Sequence, residues 1–533
     1  MSPESLDPDL AEPLRNTLVP ICGPCFGADE MRRVDALVAA DQCLTDFQLM
    51  QLAGTAAFRR LRQLWPSAKR IGVLCGTGNN GGDGWVIAKL IHEAGLDCQT
   101  FLLGCQDRIE GTAREAFNAW RCTTGHEPSS AADFCATDRG ALPYEVLVDA
   151  LVGIGMNDEV RESFNELVAS INCAKRPVLS LDAPSGLNTD TGGVASEVVK
   201  ATVTVTFIAP KPGLLTGSAR DAVGELLLER LEASAHILEQ GRSTAVCLAR
   251  ELPASLTKPR AVAAHKGHFG HVLVVGGNTE MGGAAILAAG AALRSGAGLV
   301  TLATRAEHVS AALARHPEAM VIDISVPDRL PQIIERASVV VVGPGLGQDD
   351  WAQACLDYVL KSSLPLVIDA DAINLIAQQG PLPAGNSLRI LTPHPGEAAR
   401  LAGCSVATIE SDRLGWCASL AKQWSSAVIL KGAGTIVDSG EEGRVPRICN
   451  AGNPGMATGG MGDVLAGLLG GLLAQGHTIS DVAEGAVLAH AMTGDIAWRE
   501  HGIGLTASDL LNGLGSVLTP ENKGGEECAS LSR

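Results

Sequence analysis

The segment GGMGD at 459–463 contains the residues that most strongly suggest chemistry, because three glycines precede a single carboxylate. Glycine accepts backbone conformations that strain other residues, and the helix formers that follow predict a helix beginning at this turn. A helix N-terminus presents unpaired N–H groups and the positive end of its dipole, which suits a phosphate or a developing oxyanion. The same field should hold Asp463 as a carboxylate that takes a proton from a hydroxyl group during phosphoryl chemistry. The alternative is a structural helix cap followed by close helix packing.

A second set of polar residues follows predicted strands in the first half of the chain. The segments are NNGGDG at 79–84, DALVGIG at 149–155 and DAPSG at 182–186. Asn80, Asp149 and Ser185 offer an amide oxygen, a carboxylate and a hydroxyl, which suit a small hard cation better than zinc. Asp182 would then remain free as an acid or base. Helix capping or turn formation is the alternative for each residue taken alone.

The glycines at 76, 78 and 81 also satisfy a dinucleotide-binding fingerprint, and Asp97 stands about where that fingerprint has its ribose-binding acid. This pattern alone is weak, and it would favour a dehydrogenase. The continuation NNGGDG is more polar than hydride transfer requires. It also lacks the Gly-Lys-Ser/Thr of a nucleoside triphosphate loop.

Alternating strands and helices must position these residues. Residues 29–64 have helical periodicity, and the strands predicted after them are 70–75, 99–103, 145–148, 178–181 and 202–208, with helices at 85–94, 112–120 and 160–174. This rhythm predicts parallel βαβ units, whose ligands bind beyond the carboxyl ends of the strands. Regular periodicity is lost over 218–260, which carries Pro253 and Pro259, so a domain junction is expected near 235–255.

A new α/β series opens at His265. Its apolar strands lead into GPGLG at 343–347, DADAIN at 369–374, TPHPGE at 392–397 and KGAGT at 431–435. His394, between two prolines, is either a functional group or a structural one. Lys431, after the buried-type strand 427–430, either holds a nucleotide phosphate or is an exposed lysine in a turn.

Composition limits the class of protein. The chain has 533 residues, 46% of them hydrophobic and only 3% aromatic, with 61 glycines, as expected for a multidomain α/β protein. A formal charge of −18 without a basic cluster disfavours nucleic-acid binding. The 15 scattered cysteines and the absence of a secretory or membrane-spanning pattern predict a cytoplasmic protein without membrane association. Cys22 and Cys25 form a CxxC pair for which a redox role is an alternative.

The first half resembles the NAD(P)H-hydrate epimerase family through LMQLAG at 49–54, NNGGDG, DALVGIG, LDAPSGLNTDTG at 181–192 and PKPGLLTG at 210–217. The resemblance implies a Rossmann-like three-layer domain that interconverts the R and S hydrates at C6 of the nicotinamide ring, through ring opening. It also implies a potassium ion at Asn80, Asp149 and Ser185, and proton transfer by Asp182. The implied substrate-binding positions are Asn79, Asn80, Gly81, Gly82, Asp83, Gly153, Ile154, Gly155 and Asp182. Asn188 and Ala183 stand where the family often has Asp and Ile.

The second half is similar to the ADP/ATP-dependent NAD(P)H-hydrate dehydratase family, a branch of the ribokinase-like fold, through NPGMATGGMGD at 453–463 together with TPHPGE, GPGLG, DADAIN and LKGAGT. The resemblance implies that Asp463 is the catalytic base in phosphorylation of the C6 hydroxyl, which precedes loss of phosphate. The implied substrate positions are Ala284, Gly345, His394 and Asp463. The implied nucleotide positions are Lys431, Gly432, Ala433, Gly434, Thr435 and Gly462.

Together these resemblances imply a bifunctional enzyme of metabolite repair, an isomerase and a lyase, that uses K⁺, Mg²⁺ and ADP rather than ATP. The partners expected are small molecules, namely hydrated NADH and NADPH and ADP, with no nucleic acid and no membrane, in a homo-oligomer. The expected organisation is a disordered tail over 1–20, an epimerase domain over 21–240, a dehydratase domain over 250–520 and a tail over 521–533. The rivals are a ribokinase-like small-molecule kinase, and a first half that is a non-catalytic dinucleotide-binding or scaffold module.

Overall fold

A computed structural model of the full chain describes residues 21–137, 142–155, 162–194, 196–380 and 388–519. The predicted tails at 1–20 and 521–533 lie outside the described residues. The rest divides into two compact units, one containing residues up to Ala249 together with Glu410–Arg413, and the other containing Arg250–Ile409 and the residues from Leu414 onward. The domain bounds stay predictions, and each unit is described by itself below.

The first unit is built on a parallel sheet in the order β4-β3-β2-β5-β6-β7-β8. Its strands are β1 Gly23–Cys25, β2 Arg70–Cys75, β3 Asp97–Leu102, β4 Ser129–Ser130, β5 Val146–Ala150, β6 Val178–Leu181, β7 Val203–Phe207, β8 Glu225–Glu229 and β9 Ala245–Cys247. Strands β1 and β9 are not members of the parallel sheet and pair with each other in antiparallel orientation. Its helices are α1 Ala28–Asp41, α2 Asp46–Leu64, α3 Asn79–Glu93, α4 Gly111–Thr124, α5 Ala131–Ala136, α6 Glu162–Cys173, α7 Ala219–Val223 and α8 Ala235–Gln240. Short 3-10 helices cover Gln106–Arg108 and Pro212–Leu215.

Both faces of this sheet are buried. Ile71 and Val73 of β2 belong to one apolar cluster, which includes residues of α2, α3 and α4, whereas Leu74 belongs to a second cluster with residues of α6. Successive side chains of β2 therefore point to opposite faces of the sheet and pack into two different cores, as the two-residue repeat of a strand requires. This confirms the predicted α/β class with helices on both sides of the sheet. The strand order reverses between β2 and β5, and such a reversal is where α/β sheets bind ligands.

Residues 29–64 are helical, as predicted, and form two helices, because Thr45 caps a new helix through a reciprocal bond with Gln48. The structure corrects two other expectations for this unit. Helix α3 begins at Asn79 rather than at Trp85. The stretch 218–260, expected to be irregular, supplies β8, which pairs in parallel with β7.

The second unit has the strand order β18-β17-β16-β15-β14-β13-β10-β11-β12, parallel from β12 to β16 and antiparallel from β16 to β18. The strands are β10 His271–Val275, β11 Leu299–Thr304, β12 Met320–Asp323, β13 Val339–Val342, β14 Leu366–Ile368, β15 Arg389–Leu391, β16 Ala427–Leu430, β17 Thr435–Asp438 and β18 Arg447–Cys449. The helices are α9 Gly282–Arg294, α10 Ala306–Arg315, α11 Leu330–Ile334, α12 Asp350–Leu360, α13 Ala370–Gln379, α14 Pro395–Ala402, α15 Val406–Ser411, α16 Arg413–Trp424, α17 Met461–Ala474, α18 Ile479–His501 and α19 Ala507–Leu518. Further 3-10 helices cover Lys266–Phe269, Pro327–Arg329, Pro454–Met456 and Gly502–Gly504.

Helix α17 carries the GGMGD turn at its N-terminus, as the sequence predicted. Gly460 caps it at φ 91°, a left-handed conformation that favours glycine. A Cβ on Gly467 would lie 2.0 Å from the carbonyl oxygen of Ala288 in α9, so these helices pack backbone against backbone. Helix α17 therefore combines a glycine turn at its N-terminus with close helix packing, so the two interpretations of the sequence do not exclude each other.

Within the described ranges, no helix combines the length and apolar character needed to span a bilayer.

Candidate functional site

In the first unit, a cavity of about 820 Å³ opens at the carboxyl ends of the strands. The predicted residues that line it are Asn79, Asn80, Asp83, Gly153, Ile154, Gly155 and Asp182. A Cβ on Gly153 would lie 3.2 Å from Oδ2 of Asp182 and 3.3 Å from Cγ of Asn80, so these three positions converge. The structure thus brings together side chains that are about a hundred residues apart in the sequence.

Gly81 and Gly82 have a different role in the structure, because they do not line this cavity. A Cβ on Gly81 would lie 2.0 Å from the carbonyl oxygen of Gly76, and one on Gly82 would lie 2.5 Å from Cε of Met50. These glycines let α3 pack closely against its neighbours. Their predicted substrate contact stays a prediction.

Asp182 has the most specific polar environment in the cavity. Its backbone has φ 64°, and its Oδ1 accepts a hydrogen bond of 2.5 Å from Nζ of Lys211. Lys211 also donates to Oγ1 of Thr206 at 3.1 Å and to the carbonyl oxygen of Phe207 at 3.0 Å. All three ammonium hydrogens are therefore used, and the buried pair fixes a carboxylate at the cavity wall.

The predicted metal ligands Asp149 and Ser185 lie together beneath the cavity lining. Ser185 donates to Oδ1 of Asp149 at 2.6 Å through its hydroxyl and to Oδ2 at 2.9 Å through its backbone N–H. Ser180 and the N–H of Leu151 also donate to this carboxylate. Burial raises the pKa of Asp149, and the hydrogen bonds from Ser185 oppose that shift.

Asn80 differs from that pair, because its amide is buried with neither Nδ2 nor Oδ1 hydrogen-bonded to the described residues. A buried amide without partners carries a desolvation cost that a ligand would relieve. Asn80 therefore points to a polar ligand in the cavity.

In the second unit, the turn at the N-terminus of α17 lies beside a partly buried cation, Lys431. Nζ of Lys431 is 3.3 Å from the position of a Cβ on Gly462, and it donates to Oδ1 of Asp369 at 2.8 Å. Burial alone would lower the pKa of Lys431, but the carboxylates of Asp369 and Glu397 raise it. An ammonium group at a helix tip is suited to binding phosphate oxygens.

Asp463 does not have the ionisation predicted from the helix dipole. Burial raises its pKa to about 7, repulsion from Asp369 adds to the shift, and Lys431 opposes it. Desolvation of the carboxylate therefore outweighs the field of the helix terminus. A carboxyl group that titrates near neutral pH is suited to general base catalysis.

His394 caps α14 and lies close to Glu397, which in turn lies close to Lys431. Its Nδ1 accepts a bond of 2.9 Å from the N–H of Gly396, and its Nε2 lies 3.3 Å from Oε1 of Glu397. Glu397 in turn lies 3.8 Å from Nζ of Lys431. Burial lowers the pKa of His394, which favours the neutral ring.

The other predicted positions of the second unit lie directly after strands or in the first turn of a helix. A Cβ on Gly345 would lie 3.2 Å from the Cβ of Ala284, so these two positions are neighbours. Residues 431–435 form the connection between β16 and β17, where Thr435 donates to the carbonyl oxygen of Gly432 at 2.9 Å. Gly432 and Gly434 have positive φ, and Ala433 between them is exposed. The predicted nucleotide and substrate roles of all these residues stay predictions.

Several residues of both sites were not predicted from the sequence. In the second unit they are Asp369 and Glu397, which lie in the recognised segments DADAIN and TPHPGE, and His490, whose Nε2 lies 3.0 Å from the carbonyl oxygen of Met461. In the first unit they are Lys211, in the segment PKPGLLTG, and Asp35, Asp46, Arg32 and Arg108, which line the cavity but belong to no recognised segment. Asp369 could have been identified from the sequence, because it comes directly after the buried strand β14.

The CxxC pair does not have the features of a redox site. Residues Gly23–Cys25 form strand β1 instead of opening a helix. Burial raises the pKa of the Cys25 thiol to about 12. A reactive thiol needs a lowered pKa, so the structure gives no support to the redox alternative.

Comparisons with known proteins cover both units. A family model described as YjeF-related protein N-terminus matches residues 46–213, and one described as NAD(P)H-hydrate dehydratase matches residues 272–515. The chain is 43% identical over 492 residues to the bifunctional NAD(P)H-hydrate repair enzyme Nnr of Coxiella burnetii, covering 92% of this chain and 98% of that protein. It is 40% identical over 495 residues to the enzyme of the same name from Escherichia coli K12, covering 93% and 94%.

Among solved structures, a ribokinase-like superfamily protein from Enterococcus faecalis V583 is 32% identical, with a TM-score of 0.47, and the match covers 51% of this chain and 94% of that one. The family matches confirm both resemblances found in the sequence. The chain therefore belongs to the family of bifunctional NAD(P)H-hydrate repair enzymes.

Proposed function

We propose that the first unit interconverts the R and S hydrates of NAD(P)H and that the second unit dehydrates the S hydrate to NAD(P)H at the expense of ADP. The observation that carries the second activity is the position of Lys431 at the glycine turn that holds Asp463. The observation that carries the first is the buried Asp182–Lys211 pair in the cavity. Each unit then supplies one activity.

In the second unit, the phosphoryl group of the nucleotide would lie between the N–H groups at the start of α17 and the ammonium group of Lys431. Asp463 takes the proton from the C6 hydroxyl of the hydrate as that oxygen attacks phosphorus. Hydroxide is a poor leaving group and phosphate a good one, so phosphorylation makes it feasible for C6 to lose phosphate while C5 loses a proton, which forms the C5–C6 double bond of NAD(P)H. The same positive environment stabilises the phosphate as it forms and as it leaves.

This role for Asp463 predicts a pH dependence. Because the base must be ionised and its pKa is raised to about 7, kcat/KM for the hydrate should rise about tenfold per pH unit below 7 and level off above it. Initial rates of dehydration between pH 5.5 and 8.5, at a fixed nucleotide concentration, measure this profile. Circular dichroism checks that the fold is unchanged over the same range. A profile that is flat or falls across that range would contradict the role.

In the first unit, the cavity exposes a carboxylate that can exchange a proton with the C6 hydroxyl group. Asp182 is held by Lys211 and by Thr206, whose Oγ1 donates to Oδ1 at 3.3 Å. Deprotonation of the hydroxyl allows C6 to become a carbonyl carbon as its bond to N1 breaks. Rotation and closure on the opposite face then give the other epimer.

The three residues of the predicted potassium site have suitable oxygen ligands, but not all of these oxygens are free to bind an ion. Asn80 has an unused buried amide, as a ligand requires. The carboxylate of Asp149 already accepts four hydrogen bonds, which is about its full capacity. Ser185 and Asp149 would have to give up the hydrogen bond between them in order to bind the ion.

We propose that Mg²⁺ binds together with the nucleotide. In nucleotide sites this ion is commonly held by the substrate phosphates and by water, with only one or two carboxylates from the protein. Among the residues that the structure describes, no group of three or more His, Cys, Asp or Glu side chains has an arrangement that could hold a metal ion. ADP is preferred to ATP by the resemblance alone. A homo-oligomer and a cytoplasmic location also stay predictions.

The direct test is incubation of the full chain with mixed R and S hydrates, Mg²⁺ and either ADP or ATP. We expect both epimers to be converted to reduced nicotinamide, followed by its near-ultraviolet absorbance band, with ADP giving the faster reaction. A small-molecule kinase would instead leave a phosphorylated product without that band. A non-catalytic first unit would leave the R hydrate to its uncatalysed rate of exchange.

A further inference from the structure

A second carboxyl group shares the epimerase cavity with Asp182. Asp35 of α1 lines this cavity, although it belongs to none of the segments that follow the strands. The two cations close to it are committed elsewhere, because Lys211 uses its three hydrogens on Asp182, Thr206 and Phe207, and Arg32 pairs with Asp29 at 2.5 Å. Asp35 therefore faces the cavity without the cation that fixes Asp182.

Charged groups from several segments of the first unit act on Asp35. They are Arg32 from its own helix, Asp46 from α2, Asp182 after β6 and Lys211 before the 3-10 helix at 212–215, while Asp83 of α3 interacts with Asp35 in turn. Burial raises the pKa of Asp35 to about 6, and Asp182 and Asp46 add to the shift that Lys211 and Arg32 oppose. Burial also raises the pKa of Asp83 well above its ordinary value. Asp35 and Asp83 therefore hold a proton more readily than an ordinary aspartate does.

An independent observation indicates that a ligand occupies this cavity. The buried amide of Asn80 lines the same space with its oxygen and nitrogen unpaired among the described residues. A ligand with both donor and acceptor groups would satisfy it, as the hydroxyl and carboxamide of a hydrated nicotinamide ring can. Asp35 and Asp182 would then meet the same bound ring.

Opening that ring requires an acid as well as a base. When the C6 hydroxyl loses its proton, the C6–O bond becomes a carbonyl and the electron pair of the C6–N1 bond moves to N1. N1 must gain a proton at that moment, or a high-energy amide anion would form. Asp182 can accept one proton, and it cannot at the same time donate another.

We propose that Asp35 is this general acid: its carboxyl group gives a proton to N1 while the Asp182 carboxylate takes the proton of the C6 hydroxyl. The products of the step are an open-chain aldehyde, a neutral N1–H, ionised Asp35 and protonated Asp182. Rotation about the C5–C6 bond presents the other face of the aldehyde, and the reverse transfers close the ring and restore both groups. This assignment rests on the proposed function of the first unit.

The test is Asp35→Asn in the full chain, with exchange between purified R and S hydrates followed by chromatography. Losing a general acid should lower kcat for exchange about 100-fold or more. Dehydration of purified S hydrate with ADP should be unchanged, because that activity is assigned to the second unit, and urea unfolding of the variant checks the fold of the first unit. In the wild type, exchange should fall as pH rises through about 6, and the residual rate of the variant should lack that fall.

Two more variants make the result decisive. Asp41→Asn changes an exposed carboxylate at the end of the same helix and should leave exchange at the wild-type rate. Asp35→Glu keeps a carboxyl group and should recover part of the lost rate. Equal loss in Asp35→Asn and Asp35→Glu, or wild-type exchange in Asp35→Asn, would overturn the assignment. Wild-type exchange in Asp35→Asn with loss in Asp182→Asn would leave the proposed function standing, whereas no exchange in the wild type would remove it.

Discussion

Asp463→Asn should lower the rate of dehydration by about 100- to 10 000-fold while epimer exchange continues at the wild-type rate. The amide keeps the size of the carboxyl group but cannot take a proton from the C6 hydroxyl. Lys431 would still pair with Asp369, so the phosphate-binding geometry should persist. Single-turnover formation of reduced nicotinamide from S hydrate and ADP measures the loss.

The matched control is Asp357→Asn, which changes an exposed carboxylate on α12 of the same unit. It should leave both activities unchanged. Dehydration by Asp463→Asn at the wild-type rate would remove Asp463 from the mechanism. Loss of both activities in a folded Asp463→Asn chain would instead contradict the assignment of one activity to each unit.

Asp182→Asn should produce the opposite result, a loss of epimer exchange of about 100-fold or more with dehydration of S hydrate intact. Asparagine accepts the left-handed backbone at φ 64°, so the substitution itself should not strain the chain. It does leave the ammonium group of Lys211, with 2% of its side chain exposed, without its carboxylate. An unpaired buried charge typically costs about 3–5 kcal/mol, so the first unit should also unfold at lower denaturant concentration.

A double variant separates these two effects. Asp182→Asn combined with Lys211→Met removes the charge along with its partner and should recover much of the lost stability without recovering exchange. Urea unfolding and chromatography of the epimers measure the two quantities on the same preparation. Recovery of exchange in the double variant would show that Asp182 acts only by neutralising Lys211.

Elements with strong apolar patterns were predictable from the sequence. The strands at 70–75, 178–181 and 427–430 have the predicted bounds, because each is a short apolar run ended by a polar or glycine residue. The start of α3 was missed because NNGGDG has the composition of a turn. Its glycines are explained by contacts that only the fold reveals, such as that between Gly81 and the carbonyl oxygen of Gly76.

The candidate sites were predictable where residues follow strands, and less so elsewhere. Asp182 and Asn80 were identified because the carboxyl ends of parallel strands meet at one edge of a sheet. Asp35 lies on an amphipathic helix far from the end of any predicted strand, where a single carboxylate is ordinarily solvent-exposed. The prediction that the helix dipole keeps Asp463 ionised was wrong for a related reason. The sequence reveals a helix dipole but not the burial that outweighs it.

The position of α3 also constrains how this protein can vary. Asn79, Asn80 and Asp83 lie within the first turns of one helix, so the helical repeat sets the directions in which their side chains reach the cavity. One residue added between Asn80 and Asp83 would rotate everything after it by about 100° about the helix axis and carry Asp83 away from the ligand. The length of this segment is therefore fixed.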